Sequence, residues 1–116
     1  MKAYIKHISS YLPLKKVSND DFFKHFPELK TKEDALSKIG VSNRHVIDEE
    51  ITASDIALHA AKKLFEETNI DRNEIDVLIF CSTEFDHYTP TTSAILQHRL
   101  NLATNIAAMD IVSSCT

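Results

Sequence analysis

The sequence predicts an α/β fold, and three observations carry that prediction. Strand-like and helix-like stretches alternate along it, strand, helix, strand, helix, strand, from residue 3 to residue 112. Ile75 and the run Val77 to Cys81 are almost continuously apolar, as a strand covered on both faces requires, which points to a parallel or mixed sheet under helices. Capping residues stand at the boundaries of the helical stretches.

The elements follow in order. Residues 3–10, "AYIKHISS", are β-prone and run into the turn Tyr11-Leu12-Pro13, so they are expected to form a strand. In "SNDDFFKHFPEL", Ser18 is placed to cap a short helix with Asp21 as its reciprocal acid, and Pro27 should end it. "TKEDALSKIG" repeats the device, with Thr31 as cap, Asp34 at the third position and Gly40 suited to the left-handed residue past the end. "VSNRHVI" reads as extended. The clearest helix is "TASDIALHAAKKLFEETN": Thr52 caps, Asp55 reciprocates, and Ala53, Ile56, Ala57, Ala60, Ala61, Leu64 and Phe65 make one wide apolar stripe. Asn69 fits its end, and Asp71-Arg72-Asn73 a turn. After the strand "EIDVLIFCST" and the loop "EFDHYTP", Thr89 is expected to cap a helix over 90–100 with Pro90 at its first position. "NIAAMDIVSS" is the last strand.

Composition narrows the function classes. The 116 residues suit one domain or part of a larger one, and 43% hydrophobic with 26% charged residues supports a packed core over disorder. A net charge of -4, with 13 Lys and Arg scattered along the chain, argues against nucleic acid. No apolar run reaches the roughly 18 to 20 residues of a membrane helix, and the start lacks the apolar middle of a signal peptide. Two cysteines without a framework spacing point to a reducing cytoplasm. A single glycine excludes a P-loop and a dinucleotide fingerprint. Neither Cys-x-x-Cys nor histidine ligand spacing is present, so a metal site is not expected.

Several residues carry chemistry or are weighed against it. Cys81 and Cys115 both fall at carboxyl ends of strands, where ligands collect in sheets of this kind. A cysteine that ends a strand and enters a helix receives the positive end of the helix dipole, which favours the thiolate and an oxyanion beside it. Cys115 fits that placement; Cys81 reads as core packing. Asp86 and His87 read as exposed loop polars, and Arg44 and His45 as anchors of the extended segment. Lys62, Lys63, Glu66 and Glu67 read as a solvated helix face with i,i+4 pairs.

Five segments in order resemble the amino-terminal portion of β-ketoacyl-acyl carrier protein synthase III, a condensing enzyme of the thiolase-like fold. They are "YLP" after the first strand, "KIGVSNRHVI", "TASDIALHAAKKLFEETNIDRNEIDVLIFCST", "TPTTSAILQHRLNL" and "MDIVSSC". The resemblance covers essentially the whole chain but about the first third of a family member. It implies an incomplete domain over 1–116, the amino-terminal part of the first α/β/α half with a mixed sheet, in which strand 3–10 pairs with a strand supplied after Cys115. It makes Cys115 the nucleophile that takes an acyl group from a thioester, ahead of condensation with malonyl-acyl carrier protein in fatty acid biosynthesis. The completing His and Asn are expected downstream, and the fragment alone is expected to be inactive.

The same resemblance implies substrate-binding roles for Lys38, Tyr88 and Thr89, no cofactor, a homodimer packed through helix 90–100 and strand 106–112, and acyl carrier protein as partner. Where many bacterial members carry a Trp against the coenzyme A adenine, this chain has no Trp and Asp34 falls near that position. An acyl-coenzyme A primer and a carrier-bound donor both stay open. A dimerisation module in which Cys115 only packs, and a hydroxymethylglutaryl-coenzyme A synthase-like enzyme, are the alternative readings.

Overall fold

The structure is a computed structural model that describes residues 2–113. Leu12–Glu49 forms one compact unit and the remaining described residues the other.

In the Leu12–Glu49 unit, a short antiparallel ribbon joins β1 (Lys16–Ser18) to β2 (Asn43–His45), with Val17 opposite Arg44. Ser18 caps α1 (Asn19–His25) as expected, its Oγ accepting the Asp21 amide at 3.1 Å. Arg44 anchors the ribbon: it donates to Asn19 Oδ1 at 2.6 Å and lies 4.2 Å over the Phe22 ring. His45 Nδ1 meets the Pro13 carbonyl oxygen at 2.6 Å. Pro27 ends α1 but opens a 3-10 turn, Pro27–Lys32, that runs directly into α2 (Glu33–Lys38). Thr31 therefore lies inside the turn instead of capping a helix. Gly40 takes φ 77°, the left-handed geometry expected of it.

The second unit holds α3 (Ala53–Thr68), β3 (Val77–Ser82), α4 (Thr92–Arg99) and β4 (Ala107–Val112). The α3 boundaries match the sequence in full: Thr52 and Asp55 form a reciprocal capping box, and Asn69 closes the helix at φ 54°. Asp71 Oδ1 accepts the Asn73 amide at 2.9 Å and makes the turn before β3. β3 and β4 pair in parallel, from Val77 with Ala107 to Ser82 with Val112, and α4 lies between them in sequence. Among the described residues the strands form small sheets, one antiparallel pair and one parallel pair, in keeping with the expected α/β fold of mixed strand direction.

The core lies on one face of that parallel pair. Leu58 of α3, Phe80 of β3, and Leu96, Leu100 and Leu102 at and after α4 are buried together, with Ala57, Ala61, Phe65 and Leu78 packed around them. Successive strand residues face opposite sides, so Val77, Ile79, Met109 and Ile111 look the other way and are exposed. The expectation of a strand buried on both faces is corrected: the described residues cover one.

Two further expectations change. Residues 3–10 form no strand. Ser9 Oγ donates to Glu67 at 3.2 Å, Lys63 donates to the Ser10 carbonyl at 3.1 Å, and Tyr11 stacks on His59 at 4.6 Å, so Ser9 to Tyr11 lie against α3, while residues 3–8 are exposed. β-propensity needs a neighbouring ladder to act on, and no described strand pairs with it. Helix 90–100 begins two residues late: Thr91, not Thr89, caps α4, accepting the Ala94 amide at 3.4 Å.

Candidate active site

The carboxyl ends of β3 and β4 lie side by side, and the Ser113 amide donates to the Ser82 carbonyl at 3.4 Å just past the last paired residues. Cys81 sits at this end on the uncovered face, paired with Ile111, and is exposed. Its reading as core packing is corrected: among the described residues, no helix covers the face its side chain occupies. Cys115 follows Val112 by three positions in sequence and lies outside the described residues.

Between β3 and α4 runs loop 83–91, and two carboxylates hold its flanks. Asp110, inside β4, accepts the Thr92 amide on Oδ2 and the Ser93 amide on Oδ1, each at 2.8 Å. These are the first two amides of α4, which have no partner within the helix, and both residues are fully enclosed at 0% exposure. Burial works to raise the Asp110 carboxyl, but the bonds from the Ser93 hydroxyl and the two amides outweigh it and leave it below the usual carboxylate range.

Asp86 plays the same part for α3, accepting the Ser54 amide at 3.2 Å. Burial again pushes upward, and bonds from Ser54, the Thr52 hydroxyl and the Ala53 amide carry the net shift below the usual range. Asp86 is therefore no free loop polar. Phe85 meets Phe80 edge-on at 6.0 Å and tucks the loop onto the core. A small cavity of about 150 Å³ is lined by Thr83 to Tyr88.

Arg99 completes the arrangement from the far end of α4. It donates to Asp55 at 2.6 Å and to Ser54 Oγ at 3.0 Å. The Thr52 amide, first, and then the Arg99 guanidinium lower the Asp55 carboxyl to about 2.

The remaining sequence candidates fall as follows. Tyr88 and Thr89 stand at the exposed tip of the loop, Tyr88 wholly open at 100%. Lys38 is the exposed last residue of α2, in the Leu12–Glu49 unit. Lys63 and Glu67 approach at 3.8 Å on the exposed side of α3, the solvated pair expected there. Sequence reasoning missed Asp110, Arg99 and the anchoring role of Asp86. Asp110 carried a visible signal, because an acid inside the apolar strand 106–112 needs donors to be tolerated. Among the described residues, no group of three or more His, Cys, Asp and Glu is placed to hold a metal ion, and no helix is long and apolar enough to cross a membrane.

No protein-family model matches the chain. The β-ketoacyl-[acyl-carrier-protein] synthase III of Rickettsia canadensis is 37% identical over 116 residues, spanning 99% of this chain and 35% of that protein. The enzyme of the same name from Streptococcus suis is 35% identical over 98% of this chain and 34% of its own length. The crystal structure of 3-oxoacyl-(acyl-carrier protein) synthase from Burkholderia xenovorans superposes with a TM-score of 0.75 at 32% identity, over 90% of this chain and 30% of that one. This chain is a homologue of part of β-ketoacyl-acyl carrier protein synthase III. It spans about a third of the length of the curated synthases it matches. The fold is thiolase-like, as the sequence resemblance implied.

Proposed function

We propose that this chain is the amino-terminal portion of one domain of a cytoplasmic synthase III-like acyltransferase in fatty acid biosynthesis, and that Cys115 accepts the acyl group. The Cys115 sulfur attacks the carbonyl carbon of an acyl thioester, the carbon–sulfur bond to the donor breaks, and the donor thiol departs with the proton that Cys115 gives up. Thiolate suits both halves of the task, since it attacks near neutral pH and later leaves. Condensation then uses the carbanion formed when malonyl-acyl carrier protein loses carbon dioxide. Lys38 offers charge to the donor's phosphates, and Tyr88 and Thr89 flank the acyl group. Acyl carrier protein and an acyl-coenzyme A or acyl-carrier donor are the partners, and a second copy completes a homodimer through α4 and the free edge of β4.

The observation that carries this reading is the alignment of nearly the whole chain with enzymes named as synthase III. The parallel β3–β4 pair supports it, because Cys115 follows directly from the carboxyl end of β4. The test is release of free coenzyme A from acetyl-coenzyme A by the whole synthase of which this chain is proposed to be a portion. A burst of one equivalent per chain, lost in Cys115→Ser and kept in Cys81→Ser, is expected. No burst, or one that survives Cys115→Ser, overturns the assignment and favours a non-catalytic dimerisation module.

A further inference from the structure

We propose that Asp86 and Asp110 are a pair of positioning residues that clamp loop 83–91 at both ends and so set the orientation of its Tyr88–Thr89 tip toward the acyl donor. The proposal rests on the acyl-transfer reading above for the identity of the ligand, and on described contacts for the clamp itself.

The front of the loop is tied three times. Glu84 donates its amide to Ser82 Oγ at 3.1 Å, Phe85 packs on the core, and Asp86 reaches across to the Ser54 amide at the start of α3. The back of the loop is tied by the Asp110 carboxylate, which grips the Thr92 and Ser93 amides with one oxygen each. Both carboxylates sit at helix N-termini, where negative charge is favoured and where they satisfy amides that no helical carbonyl can reach. His87, Tyr88, Thr89 and Pro90 remain exposed between the two anchors. A four-residue span held between two helix starts has little freedom to swing, which is the arrangement that keeps a contact group in place before its ligand arrives.

The clamp also couples the elements of the site. Asp110 belongs to β4, the strand that leads toward Cys115, while its donors begin α4. One carboxylate therefore ties the strand that leads to the nucleophile to the loop that carries the tip. Asparagine at either position keeps the size and one acceptor oxygen but replaces the second with an NH2 that repels an amide donor.

The test compares the whole synthase with its Asp86→Asn and Asp110→Asn variants by amide hydrogen exchange over residues 83–93 and by the acetyl-coenzyme A dependence of coenzyme A release. Expected are exchange at 87–91 faster by about tenfold and a half-saturating concentration raised severalfold, with the limiting rate within about twofold of the parent. Asp86→Glu, which keeps both acceptor oxygens, should restore both readouts. Unchanged exchange at the tip, or faster exchange with an unchanged half-saturating concentration, overturns the proposal. Asp86 accepts the Ser54 amide where Asp110 accepts two enclosed amides, so its variant decides if Asp110→Asn does not fold. A protein that releases no coenzyme A refutes the acyl-transfer reading instead, while the exchange measurement still decides the clamp.

Discussion

The two faces of the β3–β4 pair have similar side chains and opposite surroundings. On one, Phe80 and Leu78 meet Leu58, Leu96 and Leu100 from two helices, and the core leucines are 3% to 7% exposed. On the other, Val77, Ile79, Met109 and Ile111 are 43% to 52% exposed. Composition therefore does not decide burial; the position of α3 and α4 does. A strand apolar on both sides still requires something over each, and here the described residues supply one cover. The uncovered side ends at Cys81 and the covered side holds Asp110, so the two faces also divide the exposed thiol from the helix-capping carboxylate.

Mutations sharpen that contrast, the largest effect first. Leu96→Ala should cost about 3 kcal/mol in a denaturant melt, as deletion of a fully packed leucine does, whereas Ile79→Ala should cost under about 1 kcal/mol. Equal costs would mean that the open face is covered in solution, and concentration-dependent melting of the parent, flattened in Ile79→Ala, would identify self-association as the cover. Asp110→Ala should come next, at about 2–3 kcal/mol, because it strands two enclosed amides.

Asp55→Asn should cost about 1–2 kcal/mol, discounted for the partial exposure of Asp55 and Arg99. The Asp55 carboxyl is lowered from 3.8 to about 2 in the fold. The parent therefore holds this contribution above about pH 4 and loses it as pH falls toward 2, while Asp55→Asn should show a flatter acid limb. Smallest of all, Lys63→Ala on the solvated side of α3 should shift stability by under about 0.5 kcal/mol. A larger shift would show that the tether from Lys63 to Ser10 matters more than the ion pair.

Local chemistry was legible wherever the residues that decide it are neighbours in sequence. The Thr52–Asp55 box, the Ser18 cap, Asn69 and Gly40 lie within a few positions of the groups they serve, and all were readable. Features that depend on distant partners were not. Residues 3–10 have strand composition but no described neighbour strand, and only Ser9 and Ser10 among them are tied to α3. Pro90 suited a helix start, but Thr91 and the carboxylate 18 residues away at Asp110 capture the first amides of α4. Asp110 was detectable only as an acid out of place in an apolar run, and nothing in sequence pointed it toward Thr92 and Ser93. Of the candidate site, the carboxyl ends of the strands were readable from alternation alone, the parts given to Tyr88, Thr89 and Lys38 came from family resemblance, and the two anchors of the loop came from the structure.

Site-resolved mass spectrometry of the two cysteines after brief exposure to an acyl thioester tests the central claim most directly. Acyl mass on the peptide holding Cys115, in large excess over the exposed Cys81, is the predicted result. Acyl mass on Cys81 alone, or equal modification of both, would contradict it.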